Sequence, residues 1–227
     1  MRLILAHRHD AAAYELAARW GGDALLLTPA DLHTERMHLT VDPDGRANAT
    51  MPSRPAVTAI LSRLGGVGPA DLAHVDPRDV TYAATELDAF LRAWLLAWPG
   101  PVLNRPATTC LNGPGWRPEQ WAVAAVAQGL RARPVRRVAV PDGLPPVPGG
   151  DGDDSDPVRV TVLGDRWFGS VDAVTGRRLC ALARHAGCML LDAVVDADGL
   201  MLHAGAWPDV AAPEIAAALA ALLDGPR

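Results

Sequence analysis

MRLILAHRHDAAAYELAARWGGDALLLTP, residues 1–29, decides the fold. Leu3 to Ala6 is an apolar run of strand length, and Asp10 is suited to capping a helix on which Tyr14, Leu16 and Trp20 make a partly apolar face. Gly21-Gly22 ends that helix, and Ala24 to Leu27 is a second apolar run broken by Thr28-Pro29. Strand, helix and strand in such quick succession predict the opening of a parallel α/β sheet.

Outward from this stretch, residues 38–50 alternate around the turn Asp42-Pro43-Asp44-Gly45 and predict a hairpin, and Ala56 to Leu61 predicts a buried strand closed by Gly65-Gly66. From Val80 to Trp98 the apolar positions Leu87, Phe90, Leu91, Trp94, Leu95 and Trp98 recur at helical spacing. Asp76-Pro77 is the entry signal and Pro99-Gly100 the stop. Pro101 to Leu103 reads as a strand, and Pro118 to Leu130 as a helix closed at Gly129. Pro141 to Pro157, PDGLPPVPGGDGDDSDP, is too poor in apolar surface to order itself and is expected to be a flexible linker. Beyond it come strands at Val158–Leu163 and Trp167–Val171, a helix at Thr175–Ala186, strands near Met189–Val195 and Leu200–His203, and a helix at Pro213–Leu223. The expected organisation is therefore an α/β domain over residues 1–140, a linker over 141–157 and an α+β subdomain over 158–227.

The 227 residues are 49% apolar, enough for a full core. No apolar run is long enough to span a membrane, and the start has no cleavage site of the secretory kind, so a cytoplasmic protein is expected. Cys110, Cys180 and Cys188 are scattered and odd in number, which speaks for reduced thiols rather than a disulfide framework or zinc site. A net charge of −5 argues against nucleic acid as a partner, and the cluster Arg131, Arg133, Arg136 and Arg137 reads as a solvated strand edge. All 21 basic residues are arginine, so mechanisms that need a lysine, as Schiff base or phosphate ligand, are excluded.

His7 and His9 follow the first strand at its carboxyl edge, where open α/β sheets bind ligands. On an extended segment both would point to one side, and with Asp10 they could ligate a transition metal or supply an acid and base. The simpler reading makes His9 a solvated loop residue and Asp10 a helix cap. His203 raises the same question and could meet His7 across a cleft. Asp192, Asp196 and Asp198 read either as a remnant acidic site or, more simply, as a strand's polar face followed by a turn. The tryptophans Trp94, Trp98, Trp116, Trp121, Trp167 and Trp207 read as core or interface anchors.

The order of these segments resembles the ATP-grasp ligases that modify ribosomal peptides, the microviridin or graspetide type. The resemblance rests on Asp10, the strand ending Ala59 to Leu64, and Tyr82 and Glu86 on the long helix. It continues with Asn104-Arg105-Pro106, Arg117-x-x-Gln120-Trp121, Gly129-Leu130, VRVTVLGDRWFGSVD and LARHAGCMLLDAVVDADGL. It implies a Rossmann-like pre-ATP-grasp parallel sheet, a C-terminal ATP-grasp subdomain, and binding roles for Asp10, Asn104, Arg105 and Arg117. Such ligases hold ATP under a lid with lysines and place a Glu-x-Asn pair on magnesium. Here the linker stands where the lid belongs, and the strand from Gly199 reads GLMLHAGAWP, with neither acid nor amide. The expectation is a lidless pseudoenzyme of bacterial peptide natural-product biosynthesis, with no cofactor, that binds a peptide or a partner enzyme. The alternative is a repurposed enzyme using His7, His9, Arg105, Arg117 and His203 without ATP. Loss of a lid should uncover an apolar sheet face, which predicts a homodimer, with the helix from Val80 to Trp98 at its interface.

Overall fold

In the computed structural model, residues 1–136 and 157–225 are described. In chain order they form β1 (Arg2–Ala6), α1 (Ala11–Trp20), β2 (Ala24–Leu27), β3 (His38–Val41), β4 (Ala47–Thr50), β5 (Ala59–Arg63), α2 (Val80–Ala97), β6 (Val102–Leu103), α3 (Pro118–Ala127) and β7 (Arg131–Ala132). The second half contributes β8 (Val158–Leu163), β9 (Arg166–Phe168), α4 (Ala173–His185), β10 (Leu190–Val195), β11 (Leu200–Gly205) and α5 (Pro213–Leu223). The expected linker, but for Pro157, and Arg137 of the basic cluster lie outside the described residues.

The first sheet is wholly parallel in the order β2-β1-β5-β6. Its strands are apolar on both faces because both faces are covered, as parallel sheets require. One face meets α2 through Leu3, Leu5, Ile60, Leu91, Trp94 and Leu95. The other, through Ile4, Ala6 and Leu61, meets α1 and also α5, with Leu163 and Leu190 joining the same core. The two halves of the chain are thus welded by shared apolar packing. The helix expected from Val80 uses its stripe here: Leu91, Trp94, Leu95 and Trp98 are buried against the first sheet, leaving Tyr82 and Leu96 exposed on the outer side.

β5 begins later than the apolar run suggests and ends on Arg63, because it registers with β1 from Arg2↔Ala59 to Ala6↔Arg63. An arginine ends an apolar run in sequence, yet Arg63 stays buried because Asp10 neutralises it. α3 stops at Ala127; Gly129, at φ 78°, turns the chain so that Leu130 N–H donates to Ala125 O, a glycine-dependent helix stop.

The second sheet is mixed, in the order β7-β11-β10-β8-β9. Its back face, Val160, Val162, Leu191, Ala193 and Val195, packs on α3 and α4 with Trp121 and Leu179. Trp167 lies so close to α4 that a Cβ at Gly176 would sit 2.3 Å from the indole. The front face carries rows set by register: Leu163 beside Leu190, then Thr161, Asp192 and Gly205, then Arg159, Val194 and His203. Its outer row bears Arg159, whose side chain is 60% exposed, and an exposed His203. The broad apolar surface expected there is therefore replaced by polar side chains, because the apolar row at Leu163 and Leu190 is covered by the shared core.

Candidate functional site

The carboxyl edge of the first sheet faces the loop that follows β11, and the polar residues of both halves meet there. β1 ends at Ala6; His7 follows and the chain turns at once, with Asp10 N–H donating to His7 O. Asp10 caps α1 by accepting Ala13 N–H at 3.1 Å. It also takes Arg63 in a two-point pair, Nε to Oδ2 at 2.6 Å and NH2 to Oδ1 at 3.0 Å, with side chains only 5% and 7% exposed. Arg63 NH1 reaches on to Pro208 O at 2.8 Å, fastening the loop after β11 to the sheet edge.

That loop presents Trp207, 40% exposed, with the Arg63 guanidinium 5.8 Å from its ring. Its plane lies within 9° of the His7 imidazole, centroids 6.2 Å apart. Of the tryptophans read as core or interface anchors, this one stands partly exposed beside the edge of the first sheet. Asp71 orients His7: His7 Nδ1 is 3.0 Å from Asp71 Oδ1, while Asp71 Oδ2 accepts Gly68 N–H at 2.9 Å. A carboxylate on Nδ1 favours the tautomer with its proton there and leaves Nε2 as the acceptor nitrogen.

Because the turn removes the extended geometry, His7 and His9 do not share a side. His9 Nε2 instead accepts from Arg8 Nε at 2.9 Å on the exposed turn. His203 lies on β11 in the second sheet, and among the described residues no hydrogen bond or ring contact joins it to His7. Asn104 is buried: its Nδ2 donates to Leu190 O at 2.7 Å and its Oδ1 accepts Met189 and Leu190 N–H, each at 2.9 Å. Arg105 donates to the carbonyls of Leu95, Leu96, Trp98 and Gly100, closing the end of α2. Arg117 opens α3, its backbone N–H donating to Gln120 Oε1. Of the residues expected to bind, Asp10, Asn104 and Arg105 thus have their side chains committed to the protein itself.

On the second sheet Asp192 is 5% exposed, and its Oδ1 has no partner. Oδ2 lies 3.6 Å from Arg159 NH1. Burial pushes the Asp192 carboxyl above its ordinary value against the pull of Arg159 and His203, and the nearby Asp209 adds to the rise. Asp196 instead turns the chain after β10, accepting the N–H groups of Asp198 and Leu200. Among the described residues no three His, Cys, Asp or Glu side chains gather as a metal site.

This architecture is similar to the fold of solved ATP-grasp ligases. The structure resembles macrocyclase MdnC of Microcystis aeruginosa MRC bound with precursor peptide MdnA, at a TM-score of 0.64 and 12% identity, covering 98% of each chain. A RiPP-associated ATP-grasp ligase of Chryseobacterium gregarium, in complex with ADP and a leader and core peptide, matches at 0.63 and 12% identity. That alignment covers 100% of this chain and 97% of the other. ATP-grasp ligase PsnB, complexed with minimal precursor, Mg and ADP, matches at 0.59 and 18% identity over 96% and 97%. No family model matches the sequence, and no curated protein matches it.

A magnesium nucleotide is what this fold implies, and the described residues do not fit one. A hard cation needs several oxygen ligands. Beside Asp192 on β11 stands Gly205, with His203 in the next row, so the central strand pair offers one carboxylate whose second oxygen is unpartnered. Sequence reading missed Arg63, Asp71 and Trp207. The buried Arg63 inside a strand was the available signal, since only an acid close in space can hold it there.

Proposed function

We propose that the chain is a lidless ATP-grasp pseudoenzyme of bacterial peptide natural-product biosynthesis, which binds a peptide or partner enzyme in the cytoplasm without cofactor or ATP chemistry. The observation that carries this is the pairing of Asp192 with Gly205, with His203 in the next row, so that among the described residues β11 offers no acid or amide beside Asp192 for a nucleotide's metal. The absence of lysine from all 227 residues removes the usual phosphate-neutralising side chain as well. Peptide binding is supported by the precursor peptides held in the structures it resembles. The proposed division is a domain over 1–140, a linker over 141–157 in place of the lid, and a subdomain over 158–227. Calorimetric titration with Mg-ATP should give no heat of binding; a micromolar Kd would overturn the proposal.

A homodimer remains part of this reading, with the outer side of α2, including Tyr82 and Leu96, as its surface. Light scattering that returns a monomer mass rejects it. A second reading, an ATP-independent enzyme, is favoured by one observation, the pairing of His7 Nδ1 with Asp71. Its chemistry would be proton transfer by an oriented imidazole, and loss of turnover in His7→Gln, with binding retained, would identify it.

A further inference from the structure

Behind His7, the carboxyl edge of β1 and β2 opens into two adjoining cavities. The first, about 210 Å³, is lined by Arg8, Thr28, Asp71 and His74. The second, about 330 Å³, is lined mostly by apolar side chains, among them Leu32, Leu72, Leu87 and Phe90, with His33 and Glu35 also on its wall. Pro29 and His74 line both, so the two meet there.

The charges around these cavities are unequally committed. Asp71 is held by His7 and Gly68 N–H, Asp31 by the Thr28 backbone and hydroxyl, and Glu35 by Ser53 and Arg54. The Thr28 hydroxyl lowers the Asp31 carboxyl below its ordinary value, and the Ser53 hydroxyl does the same for Glu35. Among the described residues Arg8 uses only Nε, on His9, and the His74 ring makes only its contact with the His33 ring, centroids 4.9 Å apart. The first cavity therefore offers a guanidinium fork and an imidazole with spare donors, next to an apolar chamber large enough for one side chain.

We propose that this double cavity binds an apolar carboxylate, its anion on Arg8 and His74 and its apolar group between Leu72 and Phe90. Given the peptide-binding reading above, on which this rests, the occupant is the C-terminal residue of a peptide. A guanidinium and a carboxylate match in geometry and charge, and a ligand burying an apolar group beside a fixed polar contact is the ordinary form of a small-molecule site.

The test uses the full chain and N-acetyl-Ala-Ala-Phe as free acid and as amide, with 3-phenylpropionate as a small acid. The free-acid peptide should bind, and the amide should bind about tenfold more weakly or worse, the loss of one charge-assisted contact. Arg8→Gln, a substitution of an exposed side chain, should weaken the acid to the level of the amide and leave the amide unchanged. Equal binding of acid and amide, absence of binding by either, or an Arg8→Gln protein that holds the acid as before, overturns the proposal. If 3-phenylpropionate binds as tightly as the peptide, the peptide-terminus assignment is overturned. A parallel Mg-ATP titration separates the two readings, because nucleotide binding would remove the pseudoenzyme and leave the acid site standing.

Discussion

Asn104→Ala should destabilise the protein severely while changing no ligand contact. Asn104, 2% exposed, stands in for a neighbouring strand at the start of β10, making three buried hydrogen bonds to the backbone of Met189 and Leu190. Each such bond is worth about 1 kcal/mol net, and leaving the partner groups buried and unpaired adds desolvation, so the truncation should cost about 3–5 kcal/mol. That is a large part of a stability on the order of 10 kcal/mol. Urea unfolding followed by tryptophan fluorescence measures it directly. Asn104→Asp keeps the acceptor but sets a carboxylate against Leu190 O, and should be no milder. A loss below about 1 kcal/mol would refute the reasoning. Unchanged stability with altered peptide affinity would make Asn104 the binding residue that the family resemblance implies.

Arg63→Ala leaves Asp10 buried without its cation and frees the loop at Pro208, so a loss of about 3–5 kcal/mol is expected by the same unfolding assay. Gly176→Ala places a methyl 2.3 Å from Trp167 and should cost about 1–3 kcal/mol and shift the near-ultraviolet dichroism of the tryptophans. Asp192 has its carboxyl raised by burial above the ordinary value of 3.8 in the fold, so the native state holds its proton more tightly than the unfolded chain. Its contribution is favourable below that value and is lost as pH rises through the folded value. Asp192→Asn should therefore raise Tm relative to wild type near neutrality, with the gain shrinking towards acid; a gain independent of pH would refute this. The Cys188 thiol, pushed up to about 12 by burial, should stay unreacted towards a disulfide reagent at about pH 8 until the protein unfolds.

Strand and helix were legible wherever periodicity and punctuation agreed, as in residues 1–29, the hairpin of residues 38–50 and the helices α2 and α5, because these patterns depend on near neighbours in the chain. The resemblance through Asn104-Arg105-Pro106 and the Gly129-Leu130 stop reached the fold for the same reason: the order of local signals survives when identity has fallen to 12–18%. The site was less legible. Spacing suggested that His7 and His9 act together, but the turn after β1 parts them, and Asp71, sixty-four positions away, takes His7 instead. Arg63 and Trp207 acquire meaning only when the loop after β11 folds onto the edge of the first sheet. The sequence by itself determined the elements, their order, and the lack of lysine. Tertiary structure alone decided which polar groups end with partners and which, like Asp192 Oδ1 and the outer nitrogens of Arg8, find none among the described residues, since that depends on residues brought together by packing over distances no local pattern encodes.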